Sequence, residues 1–301
     1  MNIVGKRNWY FAFSLLIIIP GVISLLLWGL NLSIDFTGGS ETSLSYPQKV
    51  NQTTVDSVKK IYAQEKIEIV SLQTSGNQIT VRTKPMDDKQ DAKVLKDLQK
   101  NNSQVKQDQF ETIGPVIGKE ITVNAFNAIV IASILIVLYI AWAFRSVRKP
   151  MSSWRFGVCA IIALLHDALV VIGIFSLLGH FFGVEVDSLF VTALLTVIGF
   201  SVHDTIVVFD RIRENLRRNI TAPFPQVVND SILQTLVRSL NTSLTAMLVL
   251  FTLLIFGGES IRWFIVAMLI GIASGTYSSI FNASQLLVVW QEWVDRRHSR
   301  K

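Results

Sequence analysis

Cysteine is nearly missing from this sequence and charge is scarce. The single cysteine, Cys159, excludes an intrachain disulfide. Asp, Glu, Lys and Arg make up 17% of the 301 residues, whereas soluble globular domains carry about 25%. That deficit points away from a water-soluble domain and towards an integral membrane protein. Metal-ligand spacings, a Walker-type phosphate loop and a nucleophile elbow are all missing. Nothing suggests that this chain hydrolyses ATP, so neither a cofactor, a metal nor an enzymatic activity is expected. The formal net charge of +6 is no sign of nucleic-acid binding, because the positions of the charges follow a membrane logic.

Half of the residues are hydrophobic, and they gather into long runs. A bilayer core of about 30 Å needs roughly 20 apolar helical residues. Six stretches qualify, at 9–30, 121–144, 156–178, 188–209, 240–256 and 263–290. The first is too long for a signal-peptide core and no small-residue cleavage site follows it, so it reads as a retained helix.

Residues 31–119 are different. "TSLSY", "IEIVSL" and "QITVRT" alternate apolar and polar residues, as half-buried strands do. "TTVDSVKKIYAQ" and "DAKVLKDLQKN" have helical spacing, "SGNQ" reads as a hairpin turn, and "DQFETIG" offers a last strand. The order predicts a small α+β domain of the split βαβ kind. The expected plan is therefore 1–30 for the N-terminus and helix one, 31–119 for an extracytoplasmic domain, 120–290 for helices two to six, and 291–301 for a basic tail. Within it, residues of about 210–237 ("DRIRENLRRN" and "FPQVVNDSILQTLVR") read as a loop carrying amphipathic helices along the membrane surface.

Orientation follows from Lys and Arg in short loops. Lys6, Arg7, Arg145, Arg148, Lys149, Arg155, Arg211, Arg213, Arg217, Arg218, Arg296, Arg297, Arg300 and Lys301 all fall on one side of a six-span chain. That side is read as the cytoplasm, with both termini in it. The loops "GHFFGVEVD" and "GGESIR" then face outward, with Arg262 their one basic residue.

The ionisable residues inside the apolar runs carry the functional signal. Asp204 is the strongest. A carboxylate at mid-bilayer costs roughly 2.5–3.5 kcal/mol on insertion scales and usually faces a bundle interior; the alternative is a helix-end aspartate reached by water. Ser201, one turn earlier, is placed to hydrogen-bond it. His203 is either a second titrating group or a structural histidine. Arg238 is the natural counter-charge, although a snorkelling arginine would also fit the position. Gln234, Arg238, Asn241, Thr242 and Thr245 form one polar stripe at three- and four-residue spacing. His166 and Asp167 lie mid-helix in the third run, either joined to Asp204 and Arg238 in one network or fixing helix packing. In "GIASGTYSS", the pairs Gly271/Gly275 and Ser274/Ser278 have small-xxx-small spacing, which predicts close helix contact.

Together, "SIDFTGGS", "GPVIGKE", "ALLHDAL", "VHDTIVVFDRIREN", "RSLNTSLT" and "GTYSSIF" resemble, in order and over almost the whole chain, the motifs of the SecD–SecF family of bacterial protein-export proteins, in its smaller half. That family belongs to the resistance-nodulation-division superfamily. The resemblance implies six transmembrane helices and a ferredoxin-like extracytoplasmic domain. It implies a heterodimer with SecD in the bacterial inner membrane, acting beside the SecYEG channel and indirectly with SecA, with YajC as a further candidate partner. The cargo would be unfolded preprotein and the energy source the proton-motive force. The family's proton-relay aspartate falls on Asp204 and its partner arginine on Arg238. One departure is His203, where relatives often carry asparagine. The competing reading is a proton-coupled exporter of small molecules or lipids from the same superfamily, which the single small outer domain disfavours.

Overall fold

A computed structural model describes residues 2–145, 152–218 and 221–298. Arg148, Lys149, Arg300 and Lys301, used above for orientation, lie outside the described residues. The chain divides into two compact units.

One unit comprises residues 31–127 and 185–188. It runs α2 (Ile34–Thr37), β1 (Gly39–Ser45), α3 (Gln52–Gln64), β2 (Ile69–Ser75), β3 (Gln78–Thr83), α4 (Asp88–Asn101) and β4 (Lys106–Ile113). The four strands form an antiparallel sheet in the order β2-β3-β1-β4. This is the expected ferredoxin-like topology. Alternation sets the faces: Leu44, Ile79 and Val81 turn inward against Val58, Tyr62 and Leu98 from α3 and α4. Both helices start where their caps dictate. The Asn51 side chain accepts from the Thr54 amide, and Asp87 with Gln90 completes a reciprocal capping box. The expected turn is present, with Gly76 at φ 62° between β2 and β3.

The "GG" of "FTGGS" has a steric cause. Gly39 sits at φ 131°, and a Cβ there would lie 2.7 Å from the Thr83 carbonyl oxygen, so only glycine fits. Behind it, the buried Arg82 acts as a clasp. Its guanidinium donates to Glu185 Oε1 at 2.9 Å, to the Leu32 carbonyl at 3.1 Å and to Thr37 Oγ1 at 3.1 Å. Residues 31–33 and 186 are also stitched together by backbone bonds, Ser33 N to Val186 O at 2.9 Å and Val186 N to Asn31 O at 2.8 Å.

The second unit holds 2–30, 128–184 and 189–298. Among the described residues six helical runs are long and apolar enough to span a bilayer. They are α1 (Arg7–Trp28, extended by a 3₁₀ turn at Val4–Lys6), α5 (Pro115–Ala143), α6 (Ser153–Phe182), α7 (Ser188–Arg218), α8 (Phe224–Phe256) and a last run of α9 (Glu259–Ser278) and α10 (Ser284–His298). α1 packs on α6 through glycine: a Cβ on Gly21 would approach Gly173 Cα to 2.9 Å.

Two expectations are corrected. Residues 210–218 and 224–237 are not separate helices of a loop. They continue α7 to Arg218 and begin α8 at Phe224. Ion pairs at helical spacing, Asp210–Arg213 and Arg211–Glu214, support the polar end of α7. In α8, Ser231 and Thr235 bond back to the carbonyls of Val227 and Ser231, so the polar stretch stays helical. The other correction is within the last run, read from sequence as one plain helix. A π turn at Ser279–Ala283 joins α9 to α10.

Candidate functional site

Asp204 points into the bundle and is 2% exposed. α7 buries Val197, Ser201, Asp204, Thr205 and Val208 on one face, and His203, one residue off that face, is exposed. Asp204 Oδ2 lies 3.4 Å from both Ser243 Oγ of α8 and Thr276 Oγ1 of α9. Those hydroxyls are 2.5 Å from each other, so they bond mainly to one another. Asp204 is therefore deeply buried and weakly partnered.

The expected bond from Ser201 to Asp204 is not made. Ser201 donates instead to Asp167 Oδ2 at 2.5 Å. It has company: Ser278 donates to the same oxygen at 2.6 Å and Ser274 to Oδ1 at 2.7 Å. His166 Nδ1 lies 2.9 Å from Asp167 Oδ1. Asp167 is 1% exposed and tied to α7, α9 and its own helix. On the far side of the imidazole, His166 Nε2 meets Asn282 Nδ2 at 3.1 Å, and Asn282 Nδ2 reaches Ser14 Oγ of α1 at 2.7 Å.

Small-xxx-small spacing thus does two jobs. A Cβ on Gly275 would lie 2.9 Å from Ser201 Cβ, so Gly275 brings α9 against α7 as expected. Ser274 and Ser278 bind a carboxylate, a role beyond the packing expected of them.

Arg238 is exposed, as are Gln234, Asn241, Thr242 and Thr245. The Thr242 and Thr245 hydroxyls bond back to the carbonyls of Arg238 and Asn241. The face of α8 that turns inward is the neighbouring one, with Ser231, Thr235, Ser239 and Ser243 at four-residue spacing. Among the described residues the contacts of Asp204 are hydroxyls rather than Arg238. Arg238 instead lines a cavity of about 640 Å³ with Trp142, Phe144, Ile206, Arg211 and Gln234. The structure therefore brings Asp167, His166 and Ser201 together, holds Asp204 apart from them, and leaves Arg238 and its stripe on an open face.

Sequence reasoning missed Ser243 and Thr276 at Asp204, and Asn282 and Ser14 at His166. Ser243 had a usable signal, since it falls on the 231-235-239-243 repeat. Asn282 had none, because its direction is set by the π turn.

Two family descriptions match the chain: "Protein export membrane protein SecD/SecF, C-terminal" over residues 93–293, and "SecD/SecF GG Motif" over residues 23–46. The SecF protein translocase subunit of Thermobaculum terrenum is 48% identical across 97% of this chain and 94% of its own length. That of Anaerolinea thermophila is 45% identical across 97% and 96%. The crystal structure of SecDF from Thermus thermophilus, described as a translocon-associated membrane protein, superposes with a TM-score of 0.84 at 35% identity. The match covers 97% of this chain and 39% of that one.

Proposed function

The chain belongs to the SecD/SecF family of protein-export membrane proteins, and from that premise we propose that it is an accessory subunit of the Sec translocase. In this reading it uses the proton-motive force to help preproteins leave SecYEG after SecA has driven them in. The observation that carries the proposal is Asp204, a carboxylate 2% exposed whose nearest hydroxyls stand at 3.4 Å. A buried charge with so little compensation is poised to be neutralised by a proton. One charge crossing the membrane potential is worth about 2.3 kcal/mol per 100 mV, on the scale of the few kcal/mol that bias a two-state element.

The partner is SecD. The open face of α8 carries Gln234, Arg238, Asn241, Thr242 and Thr245, and lipid tails satisfy none of them. SecDF of Thermus thermophilus is a longer chain of which this one matches 39%, in keeping with a missing half. With SecD in place, Arg238 is the counter-charge that approaches Asp204 when the carboxylate is ionised. The basic residues put both termini in the cytoplasm of the bacterial inner membrane and residues 31–119 outside it. Preprotein is the cargo, and YajC is a candidate accessory.

The test is export into energised vesicles holding the chain and SecD. Asp204→Asn mimics the protonated acid. It should insert normally, bind SecD and lose the proton-driven component of export. Export equal to wild type at every proton-motive force would refute the proposal.

A further inference from the structure

We propose that His166 is a second protonatable site inside the membrane bundle, and that the amide of Asn282 rotates to hold either of its two protonation states. This goes beyond Asp204 and does not depend on it.

Asp167 is not the group that changes. Its oxygens take three serine hydroxyls, from Ser201, Ser274 and Ser278, at 2.5–2.7 Å, and one imidazole contact at 2.9 Å. An ionised carboxylate accepts and does not donate, and its acceptor positions are filled here. The cluster holds Asp167 as a fixed anion. A proton arriving nearby has the adjoining imidazole as its place.

Asn282 Nδ2 can only donate, so His166 Nε2, 3.1 Å away, is the acceptor. The ring hydrogen is then on Nδ1 and is given to Asp167. The same Nδ2 also donates to Ser14 Oγ at 2.7 Å. This leaves the other end of the amide idle: Asn282 Oδ1 is buried with no hydrogen-bond partner, in a residue 4% exposed. An unused buried carbonyl oxygen is uncommon in proteins.

A half-turn of the amide puts Oδ1 where Nδ2 was. It then faces His166 Nε2 and Ser14 Oγ, and both can donate. The balance is simple. One proton is added at Nε2, no covalent bond breaks, and the Ser14 hydroxyl swings its hydrogen from the Tyr277 oxygen to Asn282. The imidazolium gives Nε2–H to Asn282 and Nδ1–H to Asp167, whose negative charge offsets the new positive one. Two states thus share one set of heavy-atom positions. The backbone that presents Asn282 is the π turn at Ser279–Ala283, an irregularity that concentrates at functional positions.

α1 contributes the neutral Ser14, and α6 itself contributes Asp167. On α9, the Tyr277 hydroxyl donates to the Tyr10 carbonyl at 2.8 Å and is itself hydrogen-bonded by Ser14. Asp204 on α7 has Ser243 and Thr276, each at 3.4 Å, as its hydroxyl contacts. Asp167 is the charged group bonded to His166.

The experiment is solid-state NMR of the chain with SecD in lipid vesicles, carrying ¹⁵N-labelled histidine and asparagine. The sequence has four histidines, and His166→Gln identifies the signal of interest. At alkaline pH the ring should be the Nδ1–H tautomer, which is the minor form in water. Between about pH 8 and 5 it should become imidazolium, and the Asn282 side-chain nitrogen should shift over the same interval. An Nε2–H tautomer at alkaline pH, an unchanging ring, or an Asn282 signal that ignores the ring's change would each overturn the proposal. Two variants act in opposite directions. Asn282→Asp, acceptor only, should keep the imidazolium throughout that range, and Asn282→Leu should keep the ring neutral. If either fails to assemble, the wild-type tautomer and its coupling to Asn282 decide alone. Asp204→Asn should leave the transition intact, so failure of the proton relay and failure of this site give different results.

Discussion

Asp167 and Asp204 are equally hidden, at 1% and 2% exposure, yet their surroundings are opposites. Asp167 receives three hydroxyl bonds of 2.5–2.7 Å. Asp204 has two hydroxyls at 3.4 Å that prefer each other. Burial alone does not say what a membrane carboxylate is for; its supply of donors does. A saturated anion holds helices in place, whereas a starved one is free to change charge when its neighbours move. On the reading proposed above, the less well-bonded of the two is the one that changes charge.

The largest expected effect breaks this comparison at Asp167. Asp167→Ala leaves the buried Ser201 and Ser278, the partly buried Ser274 and an imidazole without their acceptor, and should destabilise the bundle by about 3 kcal/mol or more. Asp204→Asn should stay within about 1 kcal/mol of wild type. Thermal unfolding in detergent ranks the two; equal losses would erase the distinction. A smaller effect sharpens it. Ser278→Ala removes a 2.6 Å bond to Asp167 and should cost about 1–2 kcal/mol. Ser243→Ala removes a 3.4 Å contact to Asp204 and the hydroxyl's 2.5 Å bond to Thr276, which keeps the Ile272 carbonyl as a partner, and should cost about 1 kcal/mol or less by the same assay.

The smallest effect extends the comparison outside the membrane. Glu41 of β1 is half-buried, paired across the sheet with Arg82 and Glu111. Desolvation, chiefly, and then repulsion from Glu185 push its carboxyl up to about 7, against the pull of Arg82. The folded domain therefore holds this proton more tightly than the unfolded chain does. Its contribution is complete below the ordinary carboxylate range and is lost as pH rises through about 7. Hydrogen exchange of β1 amides should quicken from pH 5 to pH 8, after correction for the intrinsic rate, by an amount worth on the order of 1 kcal/mol. Glu41→Gln should flatten that change. A wild-type domain whose corrected exchange does not vary would contradict this.

The α+β domain was legible almost element by element, because its strands alternate and its helices carry Asn51 and Asp87 as caps. The membrane helices were legible as existing but not as bounded. Apolar content ends at Phe209 and starts again near Leu240, yet α7 and α8 run on through polar residues. Local ion pairs and hydroxyl back-bonds keep them helical, and a hydropathy window cannot see either. At the site, one residue's rotation was decisive. Inside the bundle α8 shows the serine face of Ser239 and Ser243, and Arg238 next to it faces outward. Spacing identifies a stripe but not which stripe the neighbouring helices cover. The tie between Ser201 and Asp167 escaped for a related reason. Those residues are 34 positions apart, and nothing local favours that partner over Asp204.

The clasp at Arg82 has a mechanical consequence. Its single guanidinium grips the Leu32 carbonyl and Glu185, which lie 50 and 103 residues from it along the chain. A tug on β3 is therefore divided between two strands of chain rather than borne by one. Hydrogen bonds loaded side by side must fail together, whereas bonds loaded in series open one at a time like a zipper. Such a node makes three distant segments of the α+β unit give way as one piece or not at all.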